Sequence, residues 1–174
     1  PGSEYANTRH NIGFKIIDAI NTHFKLSKQK PKFKGLLTTG NIESKKIYAI
    51  KPLTFMNNSG TAIKELIDYF KIDAKDVFVF HDDMDIDFGK VKAKFGGSSA
   101  GHNGIESIDK FIGIHYSRIR VGIGHPKQKK KVNNHVLEDF KEDEDEKIKD
   151  ITDNIVKLVP TLINKKIDLF SSKV

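Results

Sequence analysis

The chain has 174 residues, a formal net charge of +7 and no cysteine. This length favours one domain with its own core, and the lack of cysteine excludes disulfides and thiolate chemistry while fitting a reducing compartment. No apolar run approaches the roughly 20 residues that span a bilayer, and no signal peptide is visible. We therefore expect a cytoplasmic protein without a membrane partner, and the positive charge reflects either solubility or a polyanionic partner such as nucleic acid.

Helices and strands interleave along the chain. Apolar periodicity predicts helices over 9–25, 59–71, 104–112 and 142–170, the last kinked or split by Pro160. Strands are predicted over 35–39, 46–51, 77–80, 89–95 and 117–123. Basic loops are expected at 26–34 and 127–131. This order predicts the α/β class, with 1–174 as a single domain whose twisted mixed β-sheet is flanked by helices.

Two of the predicted strands carry rows of basic side chains. These rows comprise Lys90, Lys92 and Lys94 on one strand and Arg118 and Arg120 on the other. If the strands are neighbours, the rows merge with the 127–131 loop into a basic patch that suits a phosphate backbone. A solvated polar face is the simpler alternative.

The stretch 77–104 is where we expect half of a cleft. An apolar strand ends in His81, Asp82 and Asp83, and a glycine-rich segment follows at 96–104. Loops at the carboxyl ends of strands form the crevice of open α/β sheets, and glycine lets backbone amides approach a ligand closely. The segments 8–11 and 55–58 are expected to supply the other half.

His10 is the candidate general base, because imidazole titrates near neutral pH and a helix N-terminus disfavours its protonated form. Such a base needs a carboxylate to orient it, and Asp82 and Asp83 are the candidates. A solvated surface histidine is the alternative.

Other kinds of site fit less well. The aspartates of 83–87 begin like a calcium loop, but the glycine and glutamate required further on are absent. The 96–104 loop lacks both the P-loop ending and the Rossmann spacing. A metal-dependent hydrolase using His81, Asp82 and His102 stays open. The asparagines Asn57, Asn58 and Asn103 either cap helices, with Asn103 as the cap of the helix over 104–112, or bind a peptide backbone.

Five segments in order resemble bacterial peptidyl-tRNA hydrolase over essentially the whole chain. They are 1–5 running into 8–11, then 51–60, 81–85, 96–104 and 118–126. The resemblance implies a monomeric esterase that uses neither metal nor cofactor. It implies peptidyl-tRNA as the partner, held by its acceptor end and its peptide, and cleavage of the ester that joins them, which recycles tRNA from aborted translation.

The family's motifs, matched residue by residue, imply a set of site residues. His10 is implied as the catalytic base and Asp82 as its acidic partner. The implied substrate-binding residues are Tyr5, Met56, Asn57 and Asn103, and the implied tRNA-binding residues are Lys94 and Arg120. The hypothesis is that Asp82 orients neutral His10, which activates a water for attack on the ester carbonyl.

One departure from the family concerns the start of the chain. The family has a first strand that ends in an asparagine of the site, and neither stands before Pro1. We expect that sequence upstream of Pro1 is missing. The loop also reads Ser98, Ser99 and Ala100 where the family is often richer in glycine. A non-catalytic RNA-binding module and a metal-dependent hydrolase are the alternative functions.

Overall fold

Two small β-sheets form the framework in a computed structural model, which describes residues 1–126 and 132–174. The first sheet is antiparallel, in the order β1 (Lys30–Lys32), β2 (Gly35–Ile42) and β3 (Lys45–Pro52). The second has the order β4-β6-β5, with β4 (Phe78–Asp83) parallel and β5 (Val91–Phe95) antiparallel to β6 (Ser117–Gly122). The second sheet is mixed, which confirms the predicted α/β class.

The helices flank these sheets. They are α1 (Ile12–His23), α2 (Ser59–Phe70), α3 (Asn103–Ile112), α4 (Val132–Leu137), α5 (Glu142–Ile163) and α6 (Ile167–Lys173). The helix predicted from residue 9 begins instead with a 3-10 turn, Arg9–Asn11. Pro160 lies within α5, so it does not split the helix; the predicted helix 142–170 is divided instead after Ile163, and the alternative of a kink at Pro160 stays a prediction. The predicted basic loop 127–131 lies outside the described residues.

Pairing between strands moves several predicted boundaries. The strand expected over 77–80 runs on to Asp83, because parallel pairing with β6 sets Asp82 beside Val121 and Asp83 beside Gly122. The first hairpin reverses after Ile42, so its strands run past their predicted inner ends at 39 and 46, and Glu43 in the turn has a positive φ of 53°. Hydrogen bonds between neighbouring strands therefore extend elements beyond what local periodicity predicts.

Two apolar clusters form the core. The larger joins α1 and α5 to β6 through residues such as Ile16, Ile119 and Ile155. The smaller joins α2 and α3 to β2 through residues such as Leu66, Ile108 and Leu37. Burial of the apolar faces of these helices against the sheets orients the helices.

A cavity of about 730 Å³ extends between β3 and β4. Both strands are at the edge of their sheets within the described ranges. Most of the lining is apolar, but it includes His10, Met56 and His102.

Over residues 1–126 and 132–174, the structure contains no helix long and apolar enough to cross a bilayer.

Candidate active site

Strand β4 positions the acidic residues on opposite faces. Successive side chains of a strand alternate, so Asp82 lies on the face of its neighbour Val121 while Asp83 lies on the face of Arg120. The Asp83 carboxylate accepts a hydrogen bond from Arg120 Nε at 2.7 Å. Asp82 is 2% exposed and faces His10. Of the two candidate partners for His10, the structure selects Asp82.

His10 lies in the 3-10 turn Arg9–Asn11 that leads into α1, and it is hydrogen-bonded to the Asp82 carboxylate. Its Nδ1 is 2.8 Å from Asp82 Oδ1. A carboxylate only accepts hydrogen bonds, so Nδ1–H donates and Nε2 carries the lone pair. The His10 side chain is 16% exposed. The arrangement therefore holds an oriented imidazole with its basic nitrogen facing away from Asp82.

The turn that carries His10 is fixed from both sides. Arg9 is buried, and its Nη2 donates to Glu144 Oε2 of α5 at 2.7 Å. The carbonyl of Tyr5 accepts from Thr8 Oγ1 at 2.8 Å and from Asn11 Nδ2 at 2.6 Å. These contacts limit the movement of the turn, which keeps the imidazole in place.

A second histidine contacts the same carboxylate oxygen. His102 Nε2 lies 3.0 Å from Asp82 Oδ1, and the His102 and His10 ring centroids are 4.9 Å apart. His102 also caps α3, where the sequence predicts Asn103 as the cap. Asn103 is instead the first residue of the helix, and that prediction is wrong.

The histidines determine the charge state of Asp82. Burial raises the pKa of its carboxyl, but the hydrogen bonds from His10 and His102 outweigh burial and hold that pKa well below its ordinary value. Asp82 is therefore a charged acceptor at neutral pH, as orientation of a histidine base requires.

His81 is a buried neutral group. Burial, followed by the neighbouring His102, lowers its pKa from 6.5 to about 4. Its Nδ1–H donates to the carbonyl of Asp82 at 2.7 Å, and its Nε2 is buried without a partner among the described residues. The His81 side chain is therefore buried next to Asp82 and is not available as a general base.

We expect acid to destabilise the protein through His81. Between pH 6.5 and about 4 the unfolded chain binds this proton and the folded chain does not, so the free energy of unfolding falls as pH falls. At about 1.4 kcal/mol for each pKa unit the full loss is roughly 3 kcal/mol, of which about 2 kcal/mol falls between pH 7 and pH 5. Urea unfolding of the parent and of His81→Phe at pH 7 and pH 5 measures it. A His81→Phe variant as acid-sensitive as the parent would contradict this explanation, and His23→Phe, at an exposed position, is the control.

The implied substrate-binding residues lie on elements around the histidines. Met56 is the first residue of the 3-10 turn Met56–Asn58 and lines the cavity. Its Sδ lies close to Gly104, where an added Cβ would come within 2.6 Å of it. Asn57 and Asn103 are exposed, on two elements that pack against each other. Tyr5 is 39% exposed.

The two strands with basic rows are neighbours, as the basic-patch prediction requires. Lys94 is exposed and lies opposite Arg118. Arg118, however, is 2% exposed. It donates to Asp109 Oδ1 at 2.6 Å and to the carbonyl of Ser98 at 2.7 Å. Its expected place on a solvated face is therefore wrong, because it anchors the glycine-rich loop to α3.

Comparison with known proteins identifies the family. The model of the family described as peptidyl-tRNA hydrolase matches residues 1–174. The chain belongs to the peptidyl-tRNA hydrolase family. The peptidyl-tRNA hydrolase of Pelagibacter ubique is 70% identical over all of this chain and 94% of its own length. That of Ehrlichia ruminantium is 44% identical over all of this chain and 89% of its own length.

A solved structure agrees with this family. The crystal structure of peptidyl-tRNA hydrolase from Acinetobacter baumannii matches with a TM-score of 0.94 and 33% identity. The match covers 99% of this chain and 89% of the other. The resemblance stated from five sequence segments is confirmed along the whole chain.

The same three side chains could also hold a metal ion, which is the alternative to a metal-independent site. Ligand atoms of His10, Asp82 and His102 all lie within 4.8 Å of one another, and imidazole and carboxylate suit several divalent ions. The set of metal ligands predicted from the sequence contained His81 in the place of His10. The structure places Nδ1 of His81 on a backbone carbonyl, so His81 is not part of this cluster.

Proposed function

We propose that this member of the peptidyl-tRNA hydrolase family cleaves the ester bond between peptide and tRNA with a water that His10 activates. Membership of the family and 70% identity to a peptidyl-tRNA hydrolase support the substrate and the reaction. The observation that carries the role of His10 is its 2.8 Å hydrogen bond to Asp82, which fixes the tautomer whose Nε2 is basic.

The reaction follows from that tautomer. Nε2 of His10 takes a proton from a water whose oxygen attacks the ester carbonyl carbon. The resulting imidazolium is stabilised by the Asp82 carboxylate. When the intermediate collapses, the bond from carbon to the ribose oxygen breaks, and Nε2–H of His10 returns a proton to that oxygen. The products are a peptide with a free carboxyl group and tRNA with a free terminal hydroxyl.

Neutral hydrogen-bonding groups are proposed to hold the peptide. Asn57 and Asn103 offer amides on two packed elements beside the histidines, and amides both donate to and accept from a peptide backbone. An amide donor aimed at the carbonyl oxygen also stabilises the charge that develops there. Met56 and Tyr5 are proposed as apolar contacts at the edge of the cleft.

The tRNA is proposed to lie along the basic side of β5 and β6. Exposed Lys94 is suited to a phosphate contact. Arg120 is 26% exposed and already pairs with Asp83, so it contacts tRNA with its remaining donors. We further propose that the protein acts as a monomer in the cytoplasm, where peptidyl-tRNA arises during translation.

The test of this function is release of tRNA from peptidyl-tRNA by the purified chain in excess EDTA. Cleavage supports a metal-independent hydrolase. Activity that EDTA abolishes and a divalent ion restores would instead favour a metal-dependent hydrolase. Tight tRNA binding without cleavage under either condition would favour the RNA-binding module.

Lys94→Ala should weaken tRNA binding without unfolding the protein. Loss of one phosphate contact lowers affinity and reduces the slope of log affinity against log salt by about one. Filter binding of tRNA across a salt series measures both, with Lys157→Ala on the exposed side of α5 as the matched control. An unchanged salt slope in Lys94→Ala would remove Lys94 from the tRNA surface.

A further inference from the structure

Helix α2 is capped by a side chain from another helix. The residue before it, Asn58, makes no side-chain hydrogen bond to the first turn. The Gly60 N–H is one of the amides that the start of a helix leaves without an internal partner, and it donates to Ser107 Oγ of α3 at 3.0 Å. Ser107 is 5% exposed. This hydrogen bond is therefore a buried link between α2 and α3.

The two helices approach closely because Gly60 has no side chain. A Cβ at Gly60 would lie 2.3 Å from the backbone oxygen of Ser107 and 2.8 Å from Cδ2 of Phe111. At the other end of the contact, a Cβ at Gly104 would lie 2.6 Å from Sδ of Met56. Each element thus presents a glycine to the other. The contact at Gly60 is against backbone, so the spacing of the helices there has little freedom.

The link lies one turn away from each asparagine proposed to hold the peptide. Asn57 belongs to the 3-10 turn that leads directly into α2, three residues before Gly60. Asn103 is the first residue of α3, four residues before Ser107. Residues three or four apart share a face of a helix, so Asn103 and Ser107 lie on the same side of α3. The position of α2 against α3 therefore sets the separation of the two amides.

We propose that Ser107 is a positioning residue for peptide binding, which accepts the Gly60 N–H and thereby fixes the separation of Asn57 and Asn103. This inference rests on the proposed role of these two asparagines. Two amides that hold one peptide backbone must stand at a distance that the backbone dictates. A displacement of about 1 Å costs roughly 100-fold in rate, so a fixed separation has a measurable value.

A contribution to stability alone is the competing explanation, and three substitutions separate it from positioning. Ser107→Ala removes the acceptor and leaves the buried Gly60 N–H unpaired. Gly60→Ala keeps the acceptor but forces the helices apart. Thr38→Val is the matched control, because Thr38 is 1% exposed on β2 and its hydroxyl donates to Asn21 Oδ1 at 2.7 Å. It loses one buried hydroxyl hydrogen bond away from both asparagines.

The experiment measures kcat, KM and Tm for the parent and these variants with peptidyl-tRNA. We expect Ser107→Ala and Gly60→Ala to lower kcat/KM roughly 10- to 100-fold. Ser107→Ala and Thr38→Val should both lose about 2–6 °C in Tm, because each leaves a buried polar group unpaired. Thr38→Val should nevertheless keep the kcat/KM of the parent. Equal kcat/KM in Ser107→Ala and Thr38→Val would reduce Ser107 to a stabilising contact and overturn the proposal.

A double variant shows whether Ser107 acts through the amides. Asn103→Ala removes one of the two groups whose separation matters. Adding Ser107→Ala to Asn103→Ala should therefore lower the single-turnover rate much less than Ser107→Ala lowers it in the parent. Losses that multiply in full would place the effect of Ser107 elsewhere and contradict the proposal.

A further measurement does not depend on activity. Hydrogen exchange of the Gly60 amide, followed by proton–nitrogen NMR, reports whether Ser107 accepts from it. We expect slow exchange in the parent and exchange roughly tenfold faster in Ser107→Ala. Equal exchange in both would contradict the link. An inactive parent with a protected Gly60 amide would count against the proposed function and leave the link between α2 and α3 supported.

Discussion

His10→Ala should lower kcat on peptidyl-tRNA by roughly 10²- to 10⁴-fold, the usual contribution of a general base. The substitution removes the nitrogen that takes the proton from water and leaves Asp82 with His102 as its one bonded histidine. KM should change little, because His10 interacts with the reacting atoms rather than with the bulk of the substrate. Steady-state release of tRNA measures both constants.

The matched control for this experiment is His23→Ala. His23 lies in the last turn of α1 and is exposed, so its removal takes away an imidazole without touching the cleft. Parent-like kcat in His23→Ala with a large loss in His10→Ala locates the base. Normal turnover in His10→Ala would exclude His10 as the base.

Asp82→Asn should reduce kcat by a similar factor, roughly 10²- to 10⁴-fold, by leaving His10 without a charged acceptor. The amide has nearly the shape of the carboxylate but no negative charge to stabilise the imidazolium. Its NH₂ group also competes for Nδ1 of His10 and favours the wrong tautomer. Single-turnover cleavage rates at saturating enzyme report the chemical step directly.

The control here is Asp85→Asn, which neutralises an exposed carboxylate two residues beyond the end of β4. Asp85 pairs with His125 at 2.9 Å, and both side chains are 59% exposed. An exposed pair contributes little to stability, so Asp85→Asn should behave like the parent. If Asp82→Asn and Asp85→Asn had equal turnover, orientation of His10 by Asp82 would be contradicted.

The contrast between Asp82 and Asp83 shows how far the sequence could predict this site. An apolar run ending in acidic residues indicated a cleft at the end of a strand, but the predicted strand stopped at residue 80, so the opposite faces of the two aspartates followed only from the longer strand of the structure. Strand pattern alone could not decide which of them meets His10, and only the resemblance to the family singled out Asp82. That choice depends on the packing of α1 against the sheet, which is a contact between distant parts of the chain.

Arg118 and His102 illustrate what could not be predicted. Arg118 alternates with apolar neighbours like an exposed residue, but its ion pair with Asp109 compensates for burial. The partner lies on α3, and no local pattern indicates that contact. The sequence grouped His102 with Asp82 only as an alternative set of metal ligands and did not indicate that it caps α3. Its role emerges only when the start of α3 is brought against β4.

His10 and Asp82 are expected to act as one base, and a double-mutant cycle measures their coupling. We predict that His10→Ala/Asp82→Asn cleaves peptidyl-tRNA no more slowly than His10→Ala alone, because Asp82 acts through an imidazole that is already gone. The measurement is kcat/KM for tRNA release by the parent, both single variants and the double variant. Losses that multiply in the double variant would show that the two residues act independently and that Asp82 does not act through His10.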